Sequence, residues 1–579
     1  LYKLISPSNI FLDDILEVVC RNRGIKNIEK IKNPSPNDLI HYSKLINIDK
    51  AVKIFNEYAK FDNVDIGIIC DTDVDGNFSA GILTMYLNKH FPNIKIHHYF
   101  HDKKQHGITE NAMKWIKKNN QISLLFVPDA GSNNFKEHEE LYNNNIAVIV
   151  LDHHTTEKES EYAVVVNNQI SPEYPNKQLS GTGITYKFLQ ALDSFYGFNG
   201  ANEYLDLVGI SIISDIMSLV EPENRYLVYN GLKNIKNDYV KEMIFKTIGK
   251  YERVYPHTLS FNFIPKTNAI IRFSSMEDKI DLFKAIIGSD ETFYNSRTKK
   301  VETLPQKVAR ISINAHKRQN EAKKKWMKVF REQIEKEKLN NNRFIIVKVD
   351  KEEKFDNELT GVLASALTSE YRKPSIVLHY NKKENLYTGS LRSYDGVLKN
   401  TKEFLTNLNL FEMIEGHEQA AGCSIKEENL KKINEIINNH TLFNNLKIEN
   451  IKEVDFIIPY NKLNNELINN VYSYERYWGK GLEMPLFAIT DVEVNVSHIK
   501  ISENGFIEWL DKGIKYVQFT GSKDFIKIIK ESSDKILVLD IVGTLTVNHF
   551  LGNVSPQVII EDVKVKEFKE KKIGFEYVW

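Results

Sequence analysis

From residue 64 the chain repeats one pattern: a continuous apolar run, a polar cluster, then a stretch with helical spacing. The runs are VDIGIIC (64–70), IKIHHYF (94–100), ISLLFVP (122–128), IAVIVL (146–151) and YAVVVN (162–167). β-Branched runs of this kind, separated by helices, predict a parallel sheet buried on both faces. LDLVGISIISDIMSLV (205–220) keeps helical spacing, with Asp215 interrupting its apolar stretch. Residues 1–60 read as short helices punctuated by Asn and Pro, as in KNPSPNDLI.

Beyond residue 300 the pattern changes twice. A long amphipathic helix is predicted over about 303–340. Its apolar stripe runs through Val308, Ile311, Ala315, Ala322, Trp326, Phe330 and Ile334, and Lys317, Arg318, Lys323, Lys324, Lys325, Lys328 and Arg331 occupy the other faces. Strand and helix then alternate again through FIIVKVD (344–350), a helix around 357–371, SIVLHY (375–380) and LYTGSLRS (386–393). After about 440, closely spaced short strands such as FAITDVEVNVSHIKI, YVQF, ILVLDIVGTLTVN and QVIIEDVKV predict a small all-β barrel or sandwich. A chain of 579 residues exceeds one hydrophobic core and divides into several domains.

Composition adds little. Lys+Arg and Asp+Glu balance at 77 each, so net charge names no partner, and the position of each charge carries the information. Cys20, Cys70 and Cys423 lie far apart, which excludes a zinc site of the usual spacing and a disulfide framework. No charged n-region precedes an apolar h-region and no run reaches membrane-spanning length, so a cytoplasmic protein without membrane contact is expected.

The chemistry concentrates in Asp71-Thr72-Asp73-Val74-Asp75-Gly76, directly after the run ending at Cys70. In an extended segment alternate carboxylates face one way, at the strand end where open α/β sheets bind ligands. Three carboxylates this close require a cation to remain ionised. A calcium loop would need Glu at its twelfth position, where this chain has Ile82, and a helix where it has a strand. Asp129 follows the third run and Asp152-His153-His154 the fourth. With Asp215 they form a set of carboxylates and imidazole without thiolate, which suits Mn²⁺ or Mg²⁺, the imidazole favouring Mn²⁺. A carboxylate shared by two ions is the arrangement of a two-metal phosphoesterase.

These residues resemble a known family. DTDVDG, the Asp of VPDAG, LDHH and SDIMSL are similar to the four ordered motifs of the DHH phosphoesterase superfamily. LSGTGITYKFL (179–189), NRYLVYNGL (224–232), NAIIR (268–272) and NAHKRQNE (314–321) extend the likeness. LTGVLASAL (359–367), YRKPSIVL (371–378), GSLRS (389–393) and GHEQAAG (416–422) resemble a DHHA1 domain, and GNVSPQVIIEDV (552–563) the end of the oligonucleotide-binding barrel of RecJ exonucleases. Ile69 stands where many members carry His, and Glu415 precedes Gly416-His417 where Gly is usual.

The resemblance implies an α/β fold: a parallel-sheet DHH domain joined by a long helix to a smaller α/β DHHA1 domain, plus a C-terminal all-β OB-like barrel. Its divisions would be a helical extension (1–60), DHH (61–300), the connecting basic helix (301–340), DHHA1 (341–440) and an OB-like nucleic-acid-binding domain (441–579). Asp73, Asp75, Asp129, His153 and Asp215 would hold two Mn²⁺ ions, with Mg²⁺ as the substitute and Asp129 bridging, and Asp71 would complete the first motif as a further metal ligand or as an acid close behind the ligands. Asp152 would orient its neighbours and His154 would face the scissile phosphate. Arg392, Ser390, Gly416, His417, Arg272 and Arg318 would bind substrate. The implied activity is metal-dependent exonucleolytic hydrolysis of single-stranded DNA, 5′ to 3′, in recombination and repair. A single-strand-binding protein or a helicase would be the protein partner.

Three other readings compete. A phosphoesterase of short oligonucleotides or cyclic dinucleotides would share the metals but needs neither a barrel nor a basic connector. A scaffold has no reason to keep acids at every motif. A pyrophosphatase would not carry an appended barrel. Tyr472, Tyr474, Tyr477 and Trp478 fit base stacking and linker packing equally, whereas Trp326 reads as core.

Overall fold

The computed structural model describes residues 2–570 except 104, 157, 250–253, 352, 395–397, 399, 444–450, 503–504 and 551–552. Gly552 of the 552–563 segment and the last stretch of the expected C-terminal domain, 571–579, lie outside the described residues.

The five apolar runs form one parallel sheet, in the order Lys95–Phe100, Asp65–Cys70, Ile122–Pro128, Ala147–Asp152, Val164–Asn167. Alternation along each strand divides its side chains between two cores. Ile66, Ile68, Leu124, Phe126, Ile149 and Leu151 face one core, where the helices Ile48–Ala59, Val74–His90 and Gly181–Tyr196 pack. Ile69, Leu125, Val127, Val148 and Val150 face the other, with the helices Glu110–Lys118 and Phe135–Asn143. Burial on both faces explains why the runs are continuous rather than alternating. Ile69, where many members carry His, is buried in the second core.

The strand order places the topological switch between Asp65–Cys70 and Ile122–Pro128. Connections from these two strands leave to opposite faces and open a crevice at their carboxyl ends. Asp71 and Asp129 are the residues that follow those ends.

Helix Leu304–Lys336 spans two cores. Leu304, Val308, Ala309 and Ala315 pack into the main core. Trp326, Met327, Phe330 and Ile334 pack against Ile345, Val347 and Val377 of a second, five-stranded sheet. The intervening exposed face carries Lys317, Arg318, Lys324, Lys325 and Lys328. In the second sheet the order is Phe411–His417, Ala420–Ile425, Leu386–Arg392, Ser375–Asn381, Ile345–Lys348, with only the last pair parallel. Its hairpin turn lies between His417 and Ala420.

The C-terminal region is built on the expected strands, with helices added to them. Its seven-stranded sheet is mixed, with Phe456–Pro459 parallel to Phe487–Asn495 and Ile514–Gln518 parallel to Asn553–Glu570. Helices Asn465–Tyr472 and Lys523–Glu531 belong to it as well. Leu467, Ile468 and Val471 of the first helix fill the same core as the strands, a three- and four-residue spacing that a search for short strands passes over.

The N-terminal segment divides between two bodies. Ile10, Ile15, Leu16, Val18, Val19, Cys20 and Ile31 enter the core of the C-terminal sheet, whereas Leu45, Ile48, Val52 and Phe55 enter the main core. A three-residue strand, Tyr2–Leu4, pairs in parallel with Lys452–Val454. Arg23 grips the fully buried Asp455 through two hydrogen bonds of 2.8 and 3.0 Å. The aromatic cluster serves packing: Trp478 is buried, and the Tyr474 hydroxyl donates to Asp14 at 3.2 Å.

Candidate metal centre and substrate cleft

The first acidic motif is not extended throughout, as its alternation had implied. Helix Val74–His90 starts within it, with Asp73 as N-cap accepting from the Gly76 N–H at 3.1 Å, and Asp75 in the first turn. The Asn77 amide donates to the carbonyls of Asp71 and Asp73 and so does not cap the helix. Gly76 is required because a Cβ there would lie 2.5 Å from that of Asp71. The chain therefore turns sharply enough to aim all three carboxylates at the switch-point crevice.

Asp75 is held from the next helix. The N–H groups of Gly181 and Thr182 donate to its two oxygens at 2.8 Å each, and the Thr182 hydroxyl lies 2.6 Å from Oδ1. Asp129 occupies the left-handed region at φ 65°, sparsely populated by non-glycine residues. A Cβ at Gly181 would sit 2.2 Å from Asp129 Oδ1, so that helix can approach the carboxylate only with glycine at its first position.

Asp215 sits at the end of its helix rather than within it. Leu205–Ser214 terminates with Asp215 as C-cap and Ile216 at φ 57°, closed by Met217 N–H to Ile212 O at 3.0 Å and Ile216 N–H to Ile213 O at 3.2 Å. This is a Schellman ending with a β-branched residue where glycine is usual. The ending turns the Asp215 carboxylate toward His153 and leaves Ile216 exposed.

The pieces converge on His153. Its Nε2 lies 3.2 Å from Asp129 Oδ1, 3.4 Å from Asp215 Oδ2 and 4.0 Å from Asp75 Oδ2. Three overlapping groups have ligand atoms within 4.8 Å of one another: Asp71, Asp73 and Asp129; Asp75, His153 and Asp215; and Asp129 with Asp152, His153 and His154. Among the described residues, Asp71 Oδ1, Asp129 Oδ1 and His153 Nε2 are buried without a hydrogen-bond partner. Orphaned acceptors beside a neutral imidazole are costly as they stand and suit divalent cations.

Electrostatics agree. Burial, then the charges of Asp75, Asp73 and Asp71, drives the Asp129 carboxyl well above the ordinary carboxylate range; burial and Asp75 do the same to Asp215. Burial and then His154 push His153 down to about 3. Burial would raise Asp73, but the Arg272 guanidinium and the Gly76 N–H outweigh it and hold the carboxyl low. Arg272 donates to Thr72 O at 2.8 Å and Asp73 Oδ2 at 3.2 Å.

Asp152, at the edge of the cluster, is occupied by a set of donors. It accepts from the N–H groups of Ser132, His153 and His154 and lies 2.8 Å from His154 Nδ1. Against burial, which lowers it, Asp152 raises His154 to about 10.

His106 belongs to this neighbourhood and sequence reasoning missed it. Its Nδ1 lies 2.7 Å from Asp71 Oδ2, and its ring meets that of His154 edge-on at 4.6 Å. It stands in a polar loop without periodicity, which buried Lys279 ties down through the carbonyls of His101 and Asp102 at 3.2 and 2.5 Å.

Across the cleft, Ser390 Oγ lies 2.9 Å from Thr360 Oγ1, and a Cβ at Gly361 would meet Arg392 Nη2 at 3.0 Å. Both residues thus lie at the N-terminus of helix Thr360–Tyr371, where free N–H groups favour phosphate. Burial, then Arg272, lowers Arg392, and burial, then His154, lowers His417, so each lies within electrostatic reach of a residue of the metal-side domain. Gly416, at φ 129°, has its carbonyl 3.0 Å from Lys402 Nζ. Arg318 stands on the exposed helix face, with a 3.5 Å contact to Ser274.

A parallel sheet with carboxylates at its switch point, facing a second α/β domain through a shared helix, defines the DHH–DHHA1 class. Family models match in the same order: the N-terminal domain of the DHH family over 65–212, the DHHA1 domain over 341–441 and the RecJ OB domain over 454–562. The SPbeta prophage-derived YorK of Bacillus subtilis (strain 168), provisionally named a single-strand DNA-specific exonuclease, is 34% identical over 99% of this chain and 100% of its own length. The single-stranded-DNA-specific exonuclease RecJ of the same strain is 24% identical over 87% of this chain and 62% of its own. The crystal structure of RecJ from Thermus thermophilus in complex with Mn²⁺ superposes with a TM-score of 0.70, covering 96% of this chain and 76% of that one at 17% identity. The chain belongs to the RecJ family of DHH proteins.

Proposed function

We propose that this protein is a metal-dependent exonuclease that hydrolyses phosphodiester bonds of single-stranded DNA, 5′ to 3′, in recombination and repair. The observation that carries the reading is the convergence of Asp71 Oδ1, Asp129 Oδ1 and His153 Nε2, buried and without partners, at the switch-point crevice. Asp71, Asp73, Asp75, Asp129, His153 and Asp215 would hold two divalent ions, Mn²⁺ in preference to Mg²⁺, with Asp129 shared. When bound, such ions supply an activated water and neutralise the phosphate under attack.

The chain's own residues do the positioning. Asp152 fixes His154 through Nδ1, leaving Nε2 to donate to the scissile phosphate. Arg392, Ser390, Gly416 and His417 receive the flanking phosphate from the opposite wall, beside the Thr360 helix N-terminus. Arg272 holds Asp73, and its charge also reaches Arg392, so the two guanidinium groups together favour an anionic phosphate in the cleft. Arg318 and the exposed lysines of the long helix neutralise the strand further out. The relatives' names support the single-stranded substrate; the polarity, a cytoplasmic setting and recruitment by a single-strand-binding protein or helicase follow from the family likeness.

The test is digestion of end-labelled single-stranded and duplex DNA with Mn²⁺, with Mg²⁺ and with chelator. Shortening of single strands alone, and only with metal, is expected. Cleavage undiminished by chelator would overturn the metal assignment, and equal digestion of duplex would overturn the substrate.

A further inference from the structure

The segment that follows Asp215 is built from two domains. Leu219 donates its N–H to Lys480 O at 2.8 Å, and the buried Arg225 donates from Nε to Leu219 O at 2.9 Å and from Nη1 to Tyr477 O at 2.8 Å. Asn224 donates to Ser218 O at 3.0 Å. On the facing side the chain passes so close that a Cβ at Gly479 would lie 2.4 Å from Leu219 Cδ1, and one at Gly481 2.9 Å from both Ser218 Oγ and Val220 Cγ2. Between this grip and Asp215 stand only Ile216 and Met217, and Ile216 is held at φ 57°. A β-branched residue keeps that conformation only where its surroundings enforce it.

We propose that Arg225 is a positioning residue for the metal centre. With the Tyr477–Gly481 segment of the C-terminal domain, it clamps residues 218–220 and so fixes the strained turn that aims Asp215 at His153. The clamp accounts for two features at once. One is a buried arginine in the 224–232 segment, whose hydrogen bonds among the described residues go to Leu219 and Tyr477 rather than to a site residue. The other is a pair of glycines, Gly479 and Gly481, where a Cβ would press on Leu219, Ser218 and Val220. It also makes the C-terminal domain part of the metal centre's scaffold.

The proposal rests on the reading of Asp215 as a metal ligand, and the experiment separates the two. Mn²⁺ binding to the full-length protein is measured by titration calorimetry, with thermal melting alongside, for the wild type, Asp215→Asn, Arg225→Lys, Gly479→Val and Arg23→Lys. Arg225→Lys keeps a buried cation but loses the planar fork whose Nε and Nη1 reach Leu219 O and Tyr477 O together. Gly479→Val presses on Leu219 from the other domain. Arg23→Lys weakens the grip on Asp455 in the same C-terminal core, away from the turn. Asp215→Asn is expected to lose Mn²⁺ affinity, and Arg225→Lys and Gly479→Val to lose about tenfold or more, the usual effect of releasing a ligand's support. Arg23→Lys should melt earlier yet bind Mn²⁺ as the wild type does. Wild-type affinity in both Arg225→Lys and Gly479→Val would overturn the clamp, as would an equal loss in Arg23→Lys, which would mark general destabilisation. Wild-type affinity in Asp215→Asn would overturn the ligand assignment itself.

Discussion

Thr182 holds Asp75 at three points: its N–H lies 2.8 Å and its hydroxyl 2.6 Å from Oδ1, and the hydroxyl also lies 2.9 Å from the Asp75 carbonyl. Helix Gly181–Tyr196 thus fixes the orientation of a carboxylate that belongs to another helix. Thr182→Val keeps the shape and removes the hydroxyl. It should weaken Mn²⁺ binding about ten- to a hundredfold, with Thr182→Ser retaining most of the affinity. Metal titration of both variants checks this.

Asp129→Ala removes the carboxylate common to two of the candidate groups. Cleavage should fall below detection. The metal-free protein should melt a few degrees higher, because about 1 kcal/mol of relieved repulsion shifts a domain of this size by roughly 2–4 °C. The wild type should gain stability from Mn²⁺, about 2.7 kcal/mol at a hundredfold excess over Kd, and the variant much less. Melting curves with and without Mn²⁺ give both comparisons.

Arg392→Ala and His417→Ala should each lower kcat/KM by about ten- to a hundredfold, since a charge-assisted hydrogen bond contributes roughly 1.5–3 kcal/mol. The Mn²⁺ concentration for half-maximal rate should not move. Steady-state kinetics on a 5′-phosphorylated single strand, at several Mn²⁺ concentrations, separates the two effects.

Glu475 provides a pH test remote from the metals. It is 2% exposed, its Oε2 has no partner, and burial raises its carboxyl to about 7 from the ordinary 4.5. Between those values the unfolded chain has released the proton and the folded one retains it, so stability falls as pH rises from about 4.5 to 7 and then levels. The full penalty is roughly 3 kcal/mol. Glu475→Gln should therefore raise the melting temperature at pH 8 and leave it unchanged at pH 4.5.

Legibility in the sequence followed the range of the interaction. The runs at 64–70 and 122–128 announce themselves because burial on both faces allows no polar interruption, and their order along the sheet makes Asp71 and Asp129 neighbours. The turn at Ile216 left no such sign: helical spacing continues through Met217 while the backbone reverses, and a β-branched residue argues against the conformation it adopts. His106 was hidden for the opposite reason, since its loop has no period and its partner Asp71 is thirty-five residues away. The Arg225 clamp depends on Tyr477, a contact across 252 residues that no local pattern encodes.

The pairing of Tyr2–Leu4 with Lys452–Val454 sets an order of events during synthesis. Ile10, Ile15, Leu16, Val18 and Val19 are made about 450 residues before the strands that cover them. At about 5–20 residues per second, the ribosome leaves these side chains uncovered for roughly 20–90 s. The main sheet, whose strands all lie between residues 65 and 167, can close in the meantime. The nascent chain therefore carries a folded sheet behind an apolar leader that is still waiting for its core, and shielding that leader is a task for whatever chaperones meet the chain as it emerges.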